Sequence, residues 1–418
     1  MILALTSYHY IIIFSITIII SYFFSIYAKK TGIPAVLMLI GLGILINYSL
    51  RFVGIEKPNL FPILEVIGVL GLILIVLEAA LDLSLVKEKV GLIISSTLMA
   101  LFGLIGTAYL SAQILVYFME TDLLTALVYT IPLSILSSAI ILPSVSDLSD
   151  YKKEFMIYES TISDILGIIA FYGVLSLAGS DSADGVYGEV FGNLILTVVF
   201  SVFISYVLVY VFQNIAGHVK LFLLIAILLL LYAVGKMFHL SSLVIILIFG
   251  VILNNYKLFF SGGLRNLLNI EKVEHILDDM KVITAESAFV VRTFFFIIFG
   301  WSVYLGALAN LKVIGLGIGI LAVIYIVRAV FLVVFQGRDI MPQLFLAPRG
   351  LITILLFFAI PEKLSLGTEI EGVLLFIILT SCLIMSWALV SQKHKTKDVN
   401  GEETDSTNDS ELIENEDN

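Results

Sequence analysis

Charge is scarce in this chain: Asp, Glu, Lys and Arg together make up 13% of its 418 residues, 60% are hydrophobic, and the mean hydropathy is +1.09. No soluble fold buries that much apolar surface, so the composition implies a multi-pass helical membrane protein embedded in a lipid bilayer. Cysteine is scarcer still. The single Cys382 excludes an intramolecular disulfide and reads as a small packed residue within a late apolar segment. The five histidines fall at or near expected helix ends or in loops, and none makes a metal-ligand spacing. His-Glu-x-x-His and Gly-x-Ser-x-Gly are both missing, which leaves an intramembrane enzyme without its metal or its nucleophile. No repeat resembling a selectivity filter argues for a channel, and no basic surface suggests nucleic acid.

The formal charge of −10 is concentrated at one end. Nine acids fall among the last 21 residues with no Lys or Arg between them, so the rest of the chain sets 24 acids against 23 bases. Residues 392–418 are therefore expected to be a disordered, acidic, solubilising tail. Residues 1–391 form the membrane domain, with about thirteen expected spans. Residues 1–7 lack the basic n-region of a signal peptide, so the first span is expected to be a true helix. With the N-terminus outside, fifteen bases fall in inward segments and five in outward ones, and three more arginines lie at membrane depth. That bias places both the tail and the longest connection, 256–281, in the cytoplasm. The connection has Leu264, Leu267, Leu268, Val273, Ile276, Leu277 and Met280 near helical spacing, which predicts an amphipathic interfacial helix.

Two spans are interrupted by proline in corresponding places. The fifth, 122–147, holds Pro132 and Pro143 around Ser134, Ser137 and Ser138; the twelfth, 343–360, opens on Ala347-Pro348-Arg349-Gly350. Proline removes a backbone donor, and the groups it frees are tolerated at membrane depth only where protein or a cavity satisfies them. Two broken spans seven segments apart predict an inverted repeat, two six-helix units joined by span seven, with a site near the midplane.

Carboxylates at that depth are costly, about 2.5–3.5 kcal/mol even on lenient insertion scales. Glu159 and Asp164 nonetheless sit in the sixth span, 155–179. At about 100° per residue they lie roughly 140° apart around the helix, so they do not form a dyad. Glu159 and Ser163 share one face, while Ser160 and Asp164 share another. One carboxylate is expected to face the cavity and the other a counter-charge, for which Arg328 in the eleventh span is the candidate. A purely structural Glu159–Arg328 pair is equally open. An exchanger needs a carboxylate that holds either ion or proton, with hydroxyls and freed carbonyls completing an oxygen shell. Asp164 with Ser138, Ser163 and the backbone of the fifth span would supply these. Arg349 would neutralise the carbonyls freed in the twelfth span. Arg292 and Glu286 are expected as an interfacial pair, with Glu78 and Asp82 solvated at the inner end of span three. A solute symporter on the same plan, with Arg349 meeting an anionic substrate, remains the alternative.

The chain resembles the sodium/proton antiporters of the monovalent cation:proton antiporter superfamily over about residues 8–391. The resemblance rests on Glu159-Ser-Thr-Ile-Ser163-Asp164, similar to that family's Glu-x-x-x-Asn-Asp run, and on the Arg349-Gly350 pair at the twelfth-span break. Weaker matches are Gly32-Ile-Pro34, Leu77 to Asp82, and Phe294-Phe295-Phe296 ahead of Gly300. It implies alternating-access exchange of a monovalent cation, sodium by preference, for protons across the cell membrane. Asp164 would be the ion- and proton-binding residue, Glu159 would pair with Arg328, the protein would be a homodimer, and no cofactor would be needed beyond the transported ions. Two departures stand out. Ser137-Ser138 replaces the family's Thr-Asp, and Ser163 replaces the Asn or Asp before the key aspartate. A neutral residue there goes with electroneutral exchange.

Overall fold

The computed structural model describes residues 7–52, 61–145, 147–178, 186–214, 220–237, 242–260, 269–303 and 305–414. Among these residues the regular structure is entirely helical. The helices are α1 (Ser7–Thr31), α2 (Ala35–Phe52), α3 (Phe61–Asp82), α4 (Val90–Met119), α5 (Leu123–Ser134), α6 (Ser138–Ser144), α7 (Asp150–Ala178), α8 (Val186–Asn214), α9 (Lys220–Met237), α10 (Ser242–Asn254), α11 (Tyr256–Phe259), α12 (Ile270–Ser302), α13 (Leu311–Gln336), α14 (Leu351–Phe358) and α15 (Thr368–Glu414). Among the described residues, seven segments are long and apolar enough to cross a membrane, and four shorter apolar helices accompany them. Large apolar side chains on α1, α4, α8 and α13 point outward, among them Phe23, Ile105, Phe203 and Val334. A lipid-facing surface has that character, because burying it against protein is not needed to keep it from water.

Packing sorts the helices into two groups. In the first, α12 lies against α1, α2 and α3, and α10 against α3, α8 and α9. In the second, α4 lies against α5, α7 and α13, with α13 also against α15 and α14 against α5. The groups touch where α3 meets α6, α7 and α14, where α7 meets α8 and α10, and where α1 meets α6. At one end of the molecule they part around a cavity of about 880 Å³, lined on one side by α1, α2 and α12 and on the other by α6 and by Leu389, Val390 and Gln392 midway along α15.

Two expected boundaries move. The connector 256–281 is not a separate interfacial helix: from Ile270 it forms the first turns of the 33-residue α12. Val273, Ile276, Leu277 and Met280 are buried, so its apolar stripe packs on protein instead of lying at a membrane surface; Leu264, Leu267 and Leu268 lie outside the described residues. The last helix does not stop near 391 but runs on to Glu414. Extending a packed helix needs no new nucleus, which lets it continue into polar sequence.

Candidate ion-binding site

The site is built where two chain segments stop being helical. α5 starts cleanly, with the Asp122 carboxylate accepting from Thr125 N at 2.9 Å. Its last turns are tightened by hydroxyls that bond back along the helix: Thr130 Oγ1 to Ala126 O at 3.0 Å, and Ser134 Oγ to Thr130 O at 2.7 Å. Pro132 lacks the donor that would continue the ladder, and Ile135 and Ser137 take extended conformations before α6 begins. On the partner segment, residues 346–350 run without helix until α14 starts at Leu351. The two breaks cross and bond to each other, with Ser137 N donating to Pro348 O at 3.1 Å. Gly350 makes this approach possible, because a Cβ there would overlap the Ser137 hydroxyl and the Ile140 side chain.

α7 presents its polar face to this crossing. Asp164 is 2% exposed, and its Oδ2 accepts from the Ser138 hydroxyl and from Ser138 N, the latter at 3.3 Å. Its Oδ1 has no partner, and among the described residues the carboxylate forms no ion pair. Ser163 Oγ accepts from Leu136 N at 3.1 Å, so the residue before Asp164 holds one of the donors that the break exposes. Ser137 stands at the N-cap of α6 without a side-chain capping bond. Ser160 is not brought to Asp164: its hydroxyl donates back to Ile157 O at 3.2 Å within α7. Thr161, which the motif reading passed over, is 1% exposed with an unpartnered hydroxyl. It is three residues from Asp164 and on the same helix face.

Around the helix from Asp164, Glu159 receives a two-pronged contact from Arg328 on α13, at 2.6 and 3.1 Å. The pair is 1% and 4% exposed. Arg328 also donates to Gln343 O at 2.9 Å and contacts Met156 Sδ at 3.4 Å, so the guanidinium fastens α7, α13 and the segment before α14 together. Arg349 is 1% exposed and, among the described residues, meets no carboxylate within ion-pairing distance. It donates to Leu133 O at 2.5 Å and Ala347 O at 3.2 Å, one carbonyl from each break. The Ala347 contact is the expected neutralisation of a carbonyl freed in the twelfth span, whereas Leu133 O and Gln343 were invisible to sequence reading, because a freed backbone acceptor on a distant segment carries no residue signature.

Arg292 departs from expectation. It pairs with Glu78 of α3 at 3.2 Å and not with Glu286, which is exposed. Asp82 is exposed, whereas Glu78 is only about one-fifth exposed. One turn of α3 separates these two acids, and the inward-turned one takes the cation. The Arg292 side chain lines the 880 Å³ cavity, whose other wall reaches Ala139 and Ile140, the residues directly after Ser138.

Two interrupted segments crossing inside a helical bundle, a buried carboxylate at the crossing and a cavity running in from one end define a secondary ion transporter. The profile of the family described as "Sodium/hydrogen exchanger, transmembrane" matches residues 15–390. The chain belongs to that family and is a multi-pass membrane cation/proton antiporter. The fold is similar to that of the sodium proton antiporter MjNhaP1 from Methanocaldococcus jannaschii at pH 8, with a TM-score of 0.69 and 19% identity, covering 91% of this chain and 97% of that one. An electron-microscopy structure of the same antiporter gives a TM-score of 0.68 and 17% identity, covering 93% of this chain and 98% of that one. No curated protein sequence matches the chain.

Proposed function

We propose that Asp164 is the single group that carries either the exchanged cation or the proton, and that exchange is electroneutral. The observation that carries this reading is the Asp164 carboxylate itself, buried between the two breaks with Oδ1 unpartnered and no ion pair among the described residues. A buried charge without a counter-charge binds whichever cation is available, so sodium and proton compete for it. Ser138, Ser163 and Thr161 with nearby break carbonyls complete an oxygen shell suited to a hard monovalent cation. Glu159 is spoken for by Arg328, and Arg349 by the carbonyls of the breaks, so neither competes for the substrate.

Alternating access follows as relative movement of the two helix groups, which carries Asp164 between the two faces. The group around the breaks would move, and the group containing α3 and α12 would stay. The distribution of basic residues supports an outside N-terminus and an inside cavity in a cell membrane, and the family resemblance supports a homodimer. The symporter reading loses ground because Arg349 is engaged with backbone and is not open to an anionic substrate.

The test is proton flux in liposomes containing the purified protein, with a preset pH gradient and sequential additions of sodium, potassium and lithium salts. Cation-triggered collapse of the gradient is expected for the wild type and its loss in Asp164→Asn, with the mutant still inserting. Wild-type exchange in Asp164→Asn would overturn the site. Silence of the wild type toward all three cations would overturn the antiport reading itself.

A further inference from the structure

The strap between α3 and α4 is held by both helix groups at once. On one side Asn255, at the end of α10, grips it with its amide: Leu85 N donates to Oδ1 at 2.6 Å and Nδ2 donates to Leu83 O at 2.8 Å. Asn255 is 8% exposed, and Asn254 beside it adds a longer contact to Ser84 Oγ at 3.4 Å. On the other side the Tyr158 hydroxyl of α7 donates to Ser84 O at 2.8 Å. Consecutive residues of one short strap are thus bonded to opposite groups. Farther along, Lys89 pairs with Glu154 at 2.6 Å, which fixes the start of α4 to its own group. The strap therefore changes allegiance between Leu85 and Lys89.

Apolar packing marks the same place. Leu83, Ala100, Tyr158 and Ile162 form a small buried cluster separate from the main core, with Leu85, Ile165 and Val251 packed around it. Val251 comes from α10, Ala100 from α4, and Tyr158 and Ile162 from α7. A satellite cluster spanning both groups can open without disturbing the core of either. Tyr158 is also next to Glu159 and six residues from Asp164 on one helix, so movement of the ion-binding residue relative to α10 must stretch this bond.

We propose that Tyr158 is a positioning residue whose hydroxyl bond to the Ser84 carbonyl, backed by the Leu83 cluster, fastens the protein in its cavity-open form. The inference rests on the alternating-access reading above. Weakening the fastening lowers the share of carriers open on the cavity side. Apparent cation affinity falls on that face and rises on the opposite one, because affinity scales with the competent fraction.

The experiment compares wild type with Tyr158→Phe, an isosteric change, in oriented liposomes, measuring half-saturating cation concentration at each face separately. The ratio of inner-face to outer-face values is expected to rise about threefold to tenfold, the range set by the loss of one hydrogen bond. Leu83→Ala thins the cluster without touching the hydroxyl and is expected to move the ratio the same way. Glu154→Gln removes a bond inside one group and is expected to leave it unchanged. An unchanged ratio in both Tyr158→Phe and Leu83→Ala, or an equal shift in Glu154→Gln, would overturn the proposal. If wild-type protein shows no cation-driven proton flux, the antiport reading fails instead, so the two failures are told apart.

Discussion

At the scale of single residues the molecule separates two tasks that its sequence places five positions apart. Glu159 receives a two-pronged guanidinium contact, whereas Asp164 has an unpartnered Oδ1 and no ion pair among the described residues, so only the first carboxylate has its counter-charge in place. Breaking a buried pair leaves its partner uncompensated at a cost of about 3–5 kcal/mol. Glu159→Gln should therefore lower the thermal unfolding midpoint in detergent by many degrees. Arg328→Ala should lower it further, since Gln343 O and Met156 also lose their contact. Replacing both residues by apolar ones of similar volume should recover most of the loss, because no buried charge is then stranded. Unchanged midpoints in the single mutants would mean that the pair contributes nothing to stability. The pairing could be anticipated because a carboxylate and an arginine at bilayer depth each need a partner. The Arg349 contact to Ala347 O, in its own broken span, could be anticipated too, but its contact to Leu133 O could not, because that carbonyl is brought to it only by the crossing of the breaks.

At the scale of elements, helix crossings are set by where a side chain is missing. α2 and α12 meet at Gly43 and Gly300: a Cβ on the first would overlap Ile297 O, and one on the second Ile40 O. Both obstacles are backbone, so neither can turn aside. Gly43→Ala must push the helices apart, and overpacking of that kind costs about 1–3 kcal/mol. A lower midpoint in detergent with exchange retained is the expected result, since the crossing lies in the group away from Asp164; a wild-type midpoint would show that the helices can part freely. The long apolar runs and the two proline-marked breaks were legible because each has a local physical signature. The connector was misread because amphipathic spacing records only that one helix face is apolar. Val273, Ile276 and Leu277 satisfy that pattern equally well against lipid headgroups or, as here, against neighbouring helices. Glu78 was assigned to solvent for a similar reason: its place near the end of α3 was readable, but its partner lies on a helix more than two hundred residues later.

At the scale of the whole molecule, charge bookkeeping decides what a membrane potential does to exchange. Of the two buried α7 carboxylates, Glu159 and Asp164, only Asp164 has no ion pair among the described residues, and Ser163 beside it offers a hydroxyl in place of a second acid. A carrier with one such group moves one cation in one direction and one proton in the other, so no net charge crosses per cycle. The equilibrium point is then fixed by concentrations alone: flux stops when the cation ratio across the membrane equals the proton ratio. The check is to find that null point at clamped potentials of zero and about −100 mV. For one-to-one exchange it should stay in place. If two protons moved per cation, one net charge per cycle would feel about 2.3 kcal/mol of electrical work at that potential. The null point would then move roughly fiftyfold in concentration ratio. A shift of that size would require a second proton-carrying group. Glu159 would be the first to re-examine, since release from Arg328 during the transport movement would give the moving helix a second carboxylate without any change in sequence.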